Sequence, residues 1–181
     1  MRWIKRVLSQ LHRYVIVAFV SVFFWAWIFT LVTDAPVARK VMLYADVQRM
    51  EDRALAVELE TELPDGIRMV QVHPFSYAAF DTGEPDRADL WIVPESRMEA
   101  LVPQLCPCAP RDADDYTANG AVYGWRLSTP GGKGVAKAYI SYAADEPYYL
   151  CFLAASGHLG AWNGSPDDAA IRVAEHLMRL P

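Results

Sequence analysis

Residues 14–33, YVIVAFVSVFFWAWIFTLVT, form an uncharged run of 20 residues near the start of the chain. A helix needs about 20 mostly apolar residues to cross the hydrocarbon core of a bilayer. A cleavable signal peptide has an apolar region of roughly 7–15 residues, and Pro36 makes the nearest cleavage position a poor one. The alternative, a buried core helix, would need a small domain to cover it on every side. We therefore predict a retained transmembrane signal anchor at 14–33.

The charges on either side of this run predict its orientation. The four charged residues before it are all basic, and the first acidic residue follows it: Arg2, Lys5, Arg6 and Arg13, then Asp34. Lys and Arg favour the cytoplasmic side of a membrane. We expect residues 1–13 in the cytoplasm, a tether at 34–39, and an extracytoplasmic domain at 40–181. The chain is then a single-pass protein of the cell membrane, with the lipid bilayer as its first partner.

The extracytoplasmic part is acidic and has the size of one domain. Four of the 17 basic residues precede the apolar run, which leaves 13 against 22 acidic residues and a formal charge near −9. This balance argues against nucleic acid as a partner, and against a domain that lies flat on an anionic bilayer.

The first half of the domain alternates strand and helix patterns. Strand-like runs occupy 40–47, 67–74 and 88–94, and helical spacing occupies 48–63 and 95–105, with a mixed segment at 75–87. The run at 88–94 is almost continuously apolar, as in a strand covered on both faces. The order predicts an α/β fold, with a partly parallel sheet between helices in a three-layer-like arrangement.

The second half has a different character. Segment 111–120 is polar and predicted to be exposed, and the strand-like runs 121–128, 135–143 and 148–156 are separated by turn residues, which predicts a β-meander. GGKG at 131–134 predicts a hairpin turn within it. The chain ends in a helical pattern, with Ser165 as the predicted cap, Pro166 as the first helical residue and Asp168 completing a capping box.

The sequence contains no catalytic motif that we recognise. His73, His158 and His176 are predicted to be structural or surface residues. The closely spaced cysteines of the CPC motif, Cys106 and Cys108, lack the second pair of ligands that a zinc site requires. Together with Cys151 they are either one disulfide and a thiol, or three thiols. We predict no metal, no cofactor and no enzymatic activity.

Polar residues follow two of the predicted parallel strands. HPFSY ends the second strand and PES ends the third, and ligands of open parallel sheets bind beyond such ends. The candidate ligand-binding residues at this edge are Ser76, Tyr77, Glu95 and Ser96. The alternative is that Phe75 and Tyr77 pack under the edge of the sheet, while Ser76 and Ser96 cap helices.

Three segments resemble extracellular solute-binding proteins of the type 2 periplasmic-binding fold. ADLWIVPES at 88–96 resembles the third strand of their first lobe, and NGAVYGWRLSTP at 119–130 resembles the segment near their hinge. The sequence from 148 to 180 resembles their late strand and the helix that returns to the first lobe. Only about 20 residues separate the hinge-like segment from the late strand, so the resemblance implies about one lobe, with the second missing or reduced to a hairpin.

The resemblance adds Tyr123 and Trp125 to the ligand-binding candidates, although Trp125 fits a core position equally well. It implies a membrane-anchored, non-enzymatic extracytoplasmic domain that binds a small ligand, or a transporter or other envelope protein. The alternatives are an assembly subunit with no small-molecule site and an unrecognised envelope enzyme. A pocket near the candidate residues favours ligand binding, a flat apolar patch favours a protein partner, and a strongly shifted titratable group in a cleft favours an enzyme.

Overall fold

The computed structural model describes the backbone of residues 2–33, 35–75 and 88–181. The chain forms two compact units, Met1–Pro36 and Val37–Pro181.

The first unit contains helix α1 (Arg2–Thr33), which has 32 residues. In the described part of the chain, α1 is the one helix long and apolar enough to span a membrane, and its segment Arg13–Thr30 has a mean hydropathy of 1.8. The helix starts well before the predicted span at residue 14. Residues 2–13 contain neither glycine nor proline, so nothing in them interrupts the helix.

The second unit is a mixed α/β structure. Its described strands are, in chain order, β1 (Lys40–Ala45), β2 (Arg49–Met50), β3 (Met69–Pro74), β4 (Leu90–Pro94), β5 (Tyr116–Ala118), β6 (Ala121–Arg126), β7 (Ser128–Thr129), β8 (Lys133–Gly134), β9 (Ile140–Ser141) and β10 (Tyr148–Phe152). Its described α-helices are α2 (Asp52–Leu59), α3 (Glu95–Leu101) and α4 (Ala169–Leu177).

Six of these strands form one sheet in the order β3-β1-β4-β10-β6-β5. Strands β3 and β4 both pair in parallel with β1, as the alternating β-α-β pattern predicts. Strand β10 lies antiparallel between β4 and β6, and β5 pairs antiparallel with β6. The expected α/β class with a partly parallel sheet is confirmed.

Apolar side chains cover both faces of the sheet, because neighbouring residues of each strand point to opposite sides. On one face, Leu43 and Ile92 belong to the cluster that receives Leu55 of α2 and Leu177 of α4. On the other face the clustered residues include Tyr44, Trp91 and Met98, the last from α3. The helices α2 and α4 therefore contribute to one core, and α3 to the other.

The three predicted parallel strands are confirmed to within two residues at each end. The predicted helix at 48–63 is shorter than expected. It begins at Asp52, because residues 49–50 are strand β2, which pairs with β9. The predicted helix at 95–105 ends as α3 at Leu101 and continues as a 3₁₀ turn, Val102–Gln104. The structure of the mixed segment lies mostly outside the described residues.

The predicted β-meander is wrong. Strand β10 is inserted between β4 and β6, and β9 pairs with β2 in a separate ribbon. The five residues of β10 are all buried, and a strand covered on both faces is stable in the middle of a sheet. The predicted turn at GGKG is confirmed, since β7 and β8 form a hairpin there. The segment 111–120, predicted to be only polar and exposed, contains strand β5.

The final helix starts later than predicted. Helix α4 begins at Ala169, and Asp168 precedes it with no capping hydrogen bond from its side chain. The Ser165 hydroxyl instead lies 3.0 Å from the carbonyl oxygen of Ser156, so a tertiary contact occupies the predicted cap. Asp167 accepts a hydrogen bond from the Ala169 N–H at 3.1 Å.

Candidate functional site

The described residues of the predicted site at the strand ends have hydrogen-bond partners for their backbone N–H groups. Ser76 and Tyr77 lie outside the described residues. Glu95 and Ser96 follow β4, where the Glu95 N–H donates to the Pro147 carbonyl at 3.0 Å. The Ser96 N–H donates to the Glu146 carboxylate at 2.8 Å.

A bulge in β6 separates the other two candidates. Tyr116 is opposite Gly124 and Thr117 is opposite Val122, so Tyr123 is the extra residue. A bulge disturbs the regular alternation of side chains between the two faces of a sheet. Tyr123 therefore packs against the cluster around Trp91 and α3, whereas Trp125 belongs to the opposite cluster. The two aromatic residues do not line one surface.

Trp125 is a core residue. Its side chain packs edge-on against Phe152 and Trp162, with ring centroids 4.8 Å and 6.0 Å away. Its indole N–H donates to the Ala109 carbonyl at 2.8 Å, and the residue is 2% exposed. Of the two interpretations of Trp125, burial favours the core position over an exposed anchor.

A cavity of about 300 Å³ nevertheless lies beside Trp125, and we call it the arginine pocket. The Arg111 guanidinium lies over the indole, with its Cζ atom 5.0 Å from the ring centroid. This stacking is a cation–π contact, which orients the guanidinium plane and leaves its N–H groups for other acceptors. The pocket is lined by Ala109, Pro110, Arg111, Trp125, Trp162, Glu175 and Arg179.

The loop that carries Arg111 is held by a buried carboxylate. Asp115 Oδ2 accepts the backbone N–H groups of Arg111 at 2.7 Å and Asp112 at 3.0 Å. Its Oδ1 accepts the N–H of Arg126 at 3.1 Å, at the end of β6. Asp115 is 8% exposed, so these bonds form away from bulk water. The sheet therefore fixes the backbone position of Arg111.

The charges of this pocket are not all paired. Arg179 donates to Glu62 at 2.5 Å, so it already has an acidic partner. Among the described residues, the Arg111 guanidinium and the Glu175 carboxylate form no ion pair, with each other or with a third residue. One cation and one anion of the pocket are thus available to a ligand.

A second cavity, of about 480 Å³, is lined by Val37, Ala38, Asp89, Ala155, Gly157, His158, Pro166 and Asp167. Its titratable groups, with Ser156, form what we call the histidine network: Asp89, Ser156, His158 and Asp167. His158 Nδ1 lies 2.8 Å from Asp167 Oδ1. Asp89 accepts the Ser156 hydroxyl at 2.5 Å and the Met42 N–H at 2.9 Å.

The histidine network satisfies its own polar atoms. His158 Nε2 lies 3.4 Å from the Val37 carbonyl oxygen, so both ring nitrogens have protein partners. The Ser156 hydroxyl is directed to Asp89 and not to the imidazole, so the bond between nucleophile and base that a serine enzyme requires is not formed. We therefore assign the network a structural role.

Burial alone would lower the pKa of His158, but the hydrogen bond to Asp167 and the charges of Asp89 and Asp167 outweigh it, and the pKa is raised. Burial raises the pKa of Asp89, although its hydrogen bonds from Ser156 and Met42 oppose the shift. A raised histidine pKa favours the imidazolium, which both neighbouring carboxylates stabilise.

The three cysteines, Cys106, Cys108 and Cys151, are buried thiols and no disulfide joins them. Burial is the largest cause that raises the pKa of Cys108 to about 12, so its reactive thiolate form is disfavoured. In the described parts of the chain, no group of three or more His, Cys, Asp or Glu residues is placed to hold a metal ion.

Sequence reasoning missed the residues that build the arginine pocket. Arg111 and Asp115 lie in the segment predicted only to be polar and exposed, and Glu175 lies on a predicted helix. The closely spaced aspartates of this segment are a signal from which a turn could have been predicted, since Asp side chains bond to nearby backbone N–H groups. No local signal indicated that this turn would meet Trp162 and the last helix.

Comparison with protein-family models, with curated proteins and with solved structures finds no match for this chain. The resemblance to solute-binding proteins therefore stays a prediction.

Proposed function

We propose that this chain is a membrane-anchored, non-enzymatic extracytoplasmic domain of solute-binding type that binds a small anionic ligand in the arginine pocket. Helix α1 is the anchor, and the basic residues of its first 12 positions, Arg2 to Arg13, keep the N-terminus in the cytoplasm. A transporter or another envelope protein is the partner that would receive the liganded domain.

The arrangement of the second unit supports this proposal. The late strand β10 joins the sheet of the first strands beside β4. Helix α4 then returns to that sheet, where Val173 and Leu177 share a core cluster with Val41 and Leu55. A late strand followed by a returning helix is the feature that the resemblance to solute-binding proteins leads us to expect.

The observation that carries the proposal is the state of Arg111. Its guanidinium is stacked on a buried indole and lines a cavity, yet it has no acidic partner among the described residues. A guanidinium presents several N–H donors in a fixed plane that matches a carboxylate. Ordinary ligand pockets measure about 300–1,000 Å³, so a pocket of this size suits a small molecule.

The test uses the full chain in lipid nanodiscs and a panel of small carboxylic acids, with the thermal unfolding temperature as the readout. We expect at least one acid to raise that temperature in the wild type and not in Arg111→Gln. Arg172→Gln is the matched control, because Arg172 is an exposed arginine of α4 that pairs with Asp168. A shift that survives in Arg111→Gln would place the ligand elsewhere, and no shift with any acid would contradict the proposal.

A further inference from the structure

The apolar pattern of helix α1 changes along its length. From Tyr14 to Phe29 the large apolar side chains are exposed on every side of the helix, as in a segment surrounded by lipid. In residues 2–13 of the same helix, the apolar positions recur at spacings of three and four residues and therefore share one face. This face, which we call the N-terminal stripe, consists of Trp3, Ile4, Val7, Leu8 and Leu11.

The opposite face of residues 2–13 is basic, and we call it the basic face. Its cationic residues are Arg2, Lys5, Arg6 and Arg13. The sequence has no Asp or Glu before residue 34, so no carboxylate of the helix neutralises these charges. A basic amphipathic helix with tryptophan among its apolar residues is typical of a segment that lies at a membrane surface.

The length of α1 indicates the same location. Its 32 residues extend about 48 Å, whereas a bilayer measures about 40–45 Å including its headgroups. An upright helix would therefore project beyond the headgroups, and residues 2–13 contain neither glycine nor proline at which the helix would bend. A tilt of about 30°, within the range of membrane helices, reduces the projected length to about 42 Å. Tilting turns one side of the helix end toward the membrane, and the N-terminal stripe is the side that apolar lipid can accept.

We infer that residues 2–13 bind anionic phospholipid headgroups, with the N-terminal stripe at the boundary of the acyl chains and the basic face on the lipid phosphates. This inference rests on the anchor role of α1 in the proposed function and is independent of the arginine pocket. Guanidinium and ammonium groups pair with phosphate oxygens, and clusters of basic residues beside a membrane span attract anionic lipids. An acidic protein would also match the basic face, but residues 2–13 continue the membrane-spanning helix, so lipid phosphates are already within their reach.

The experiment measures which lipids contact the full chain reconstituted in phosphatidylcholine vesicles. Electron paramagnetic resonance of spin-labelled phosphatidylglycerol and phosphatidylcholine gives the fraction of each lipid that the protein immobilises. We expect phosphatidylglycerol to be preferred by at least about threefold in dilute buffer, because basic residues near the surface favour an anionic headgroup. High salt should reduce this preference, since it screens the charges.

A triple glutamine variant tests the basic face. The combined changes Arg2→Gln, Lys5→Gln and Arg6→Gln should abolish the preference for phosphatidylglycerol. The matched control removes the same charge from three exposed arginines of the second unit, and it should keep the preference: Arg49→Gln, Arg53→Gln and Arg172→Gln. Circular dichroism of each variant shows whether its helices are retained.

An exchange variant tests the N-terminal stripe at constant composition and charge. It combines Lys5→Leu, Arg6→Val, Val7→Arg and Leu8→Lys. Two basic residues then lie within the stripe, and the segment is no longer amphipathic. We expect the preference for phosphatidylglycerol to fall by at least about twofold, because the stripe no longer holds the segment at the headgroups.

The possible failures can be told apart. If the chain does not sediment with the vesicles, α1 is not an anchor, and this inference fails together with the anchor of the proposed function. If the chain stays in the bilayer but immobilises both lipids equally, or if the triple glutamine variant keeps the preference, the headgroup assignment is overturned in favour of an acidic protein and the proposed function stands. An undiminished preference in the exchange variant refutes the role of the stripe.

Discussion

His158 Nδ1 lies 2.8 Å from Oδ1 and 3.0 Å from Oδ2 of Asp167, with the imidazole buried and the carboxylate more than one-third exposed. The contact connects the loop after β10 to the residues just before α4. On the other side of the ring, His158 Nε2 lies 3.4 Å from the carbonyl oxygen of Val37, the first residue of the second unit. One side chain thus joins the segment before α4 to Val37, which lies 121 residues earlier in the sequence.

This geometry predicts how stability depends on pH. Because the pKa of His158 is raised in the folded domain, its protonation stabilises the fold. The stabilisation is fully present below the ordinary pKa of 6.5 and is lost as the pH rises through the raised value. The charged groups that face the ring are Asp89 and Asp167, and both favour the imidazolium.

The measurement is the free energy of unfolding of the full chain in detergent, followed between about pH 5 and 9. Wild type should lose stability relative to His158→Gln as the pH rises through this range. His73→Gln, on strand β3, is the control for replacing a histidine outside the histidine network. Parallel curves for wild type and His158→Gln would show that protonation of the imidazole does not stabilise the folded state over the unfolded state.

Trp125→Ala should destabilise the second unit by about 3–5 kcal/mol, the usual cost of removing a buried large aromatic side chain. Trp125→Phe keeps a ring in the cluster but loses the indole N–H that donates to Ala109, and it should cost less. Chemical denaturation of the full chain measures both. A loss below about 1 kcal/mol for Trp125→Ala would contradict its position in the core.

Asp115→Asn should loosen the loop that presents Arg111, because an amide group replaces one carboxylate oxygen that now accepts backbone N–H groups. Leaving buried N–H groups unpaired costs about 1–3 kcal/mol. Asp114→Asn is the matched control, since Asp114 is 65% exposed and its ion pair with Arg126 lies at the surface. Faster proteolysis at 110–116 in Asp115→Asn alone is the expected result. Equal cleavage in both variants would refute the role of Asp115.

Orientation in the membrane is tested with protease added to intact spheroplasts. The basic flank of α1 predicts that residues beyond about 40 are removed, while the first 33 stay with the membrane. Mild lysis before protease treatment is the control for access. Full protection of the C-terminal unit would reverse the predicted orientation, and a soluble product cut near Ala35 would show that the helix is a cleaved signal.

Sequence reasoning predicted the parts of the fold that local pattern determines. The continuous apolar run around Trp91 became a strand covered on both faces, and the alternation of strands and helices gave the parallel pairs. It did not predict where β10 lies, because the pairing of a strand depends on contacts with residues distant in sequence. The start of α4 was misplaced for the same reason, since Ser165 contacts Ser156 and does not cap the helix.

The candidate site was harder to predict than the fold. The residues chosen at the strand ends were selected by their position after β3 and β4, which is a general property of parallel sheets. No general rule of this kind predicts the arginine pocket. Its loop is held because Asp115 accepts three backbone N–H groups, and the pocket forms where α4 lies beside that loop. The bulge at Tyr123 also had no sequence signal. It places Tyr123 and Trp125 on opposite faces of the sheet, whereas regular alternation along a strand would place them on the same face.

The most direct test of the proposed function measures the occupancy of the arginine pocket itself. Phenylglyoxal modifies accessible guanidinium groups, and peptide mass spectrometry reports the extent of reaction at each arginine of the full chain in nanodiscs. We predict that the carboxylic acid panel protects Arg111 several-fold and leaves Arg49 and Arg172 unchanged. Equal labelling of Arg111 with and without the acids would contradict a ligand site in this pocket.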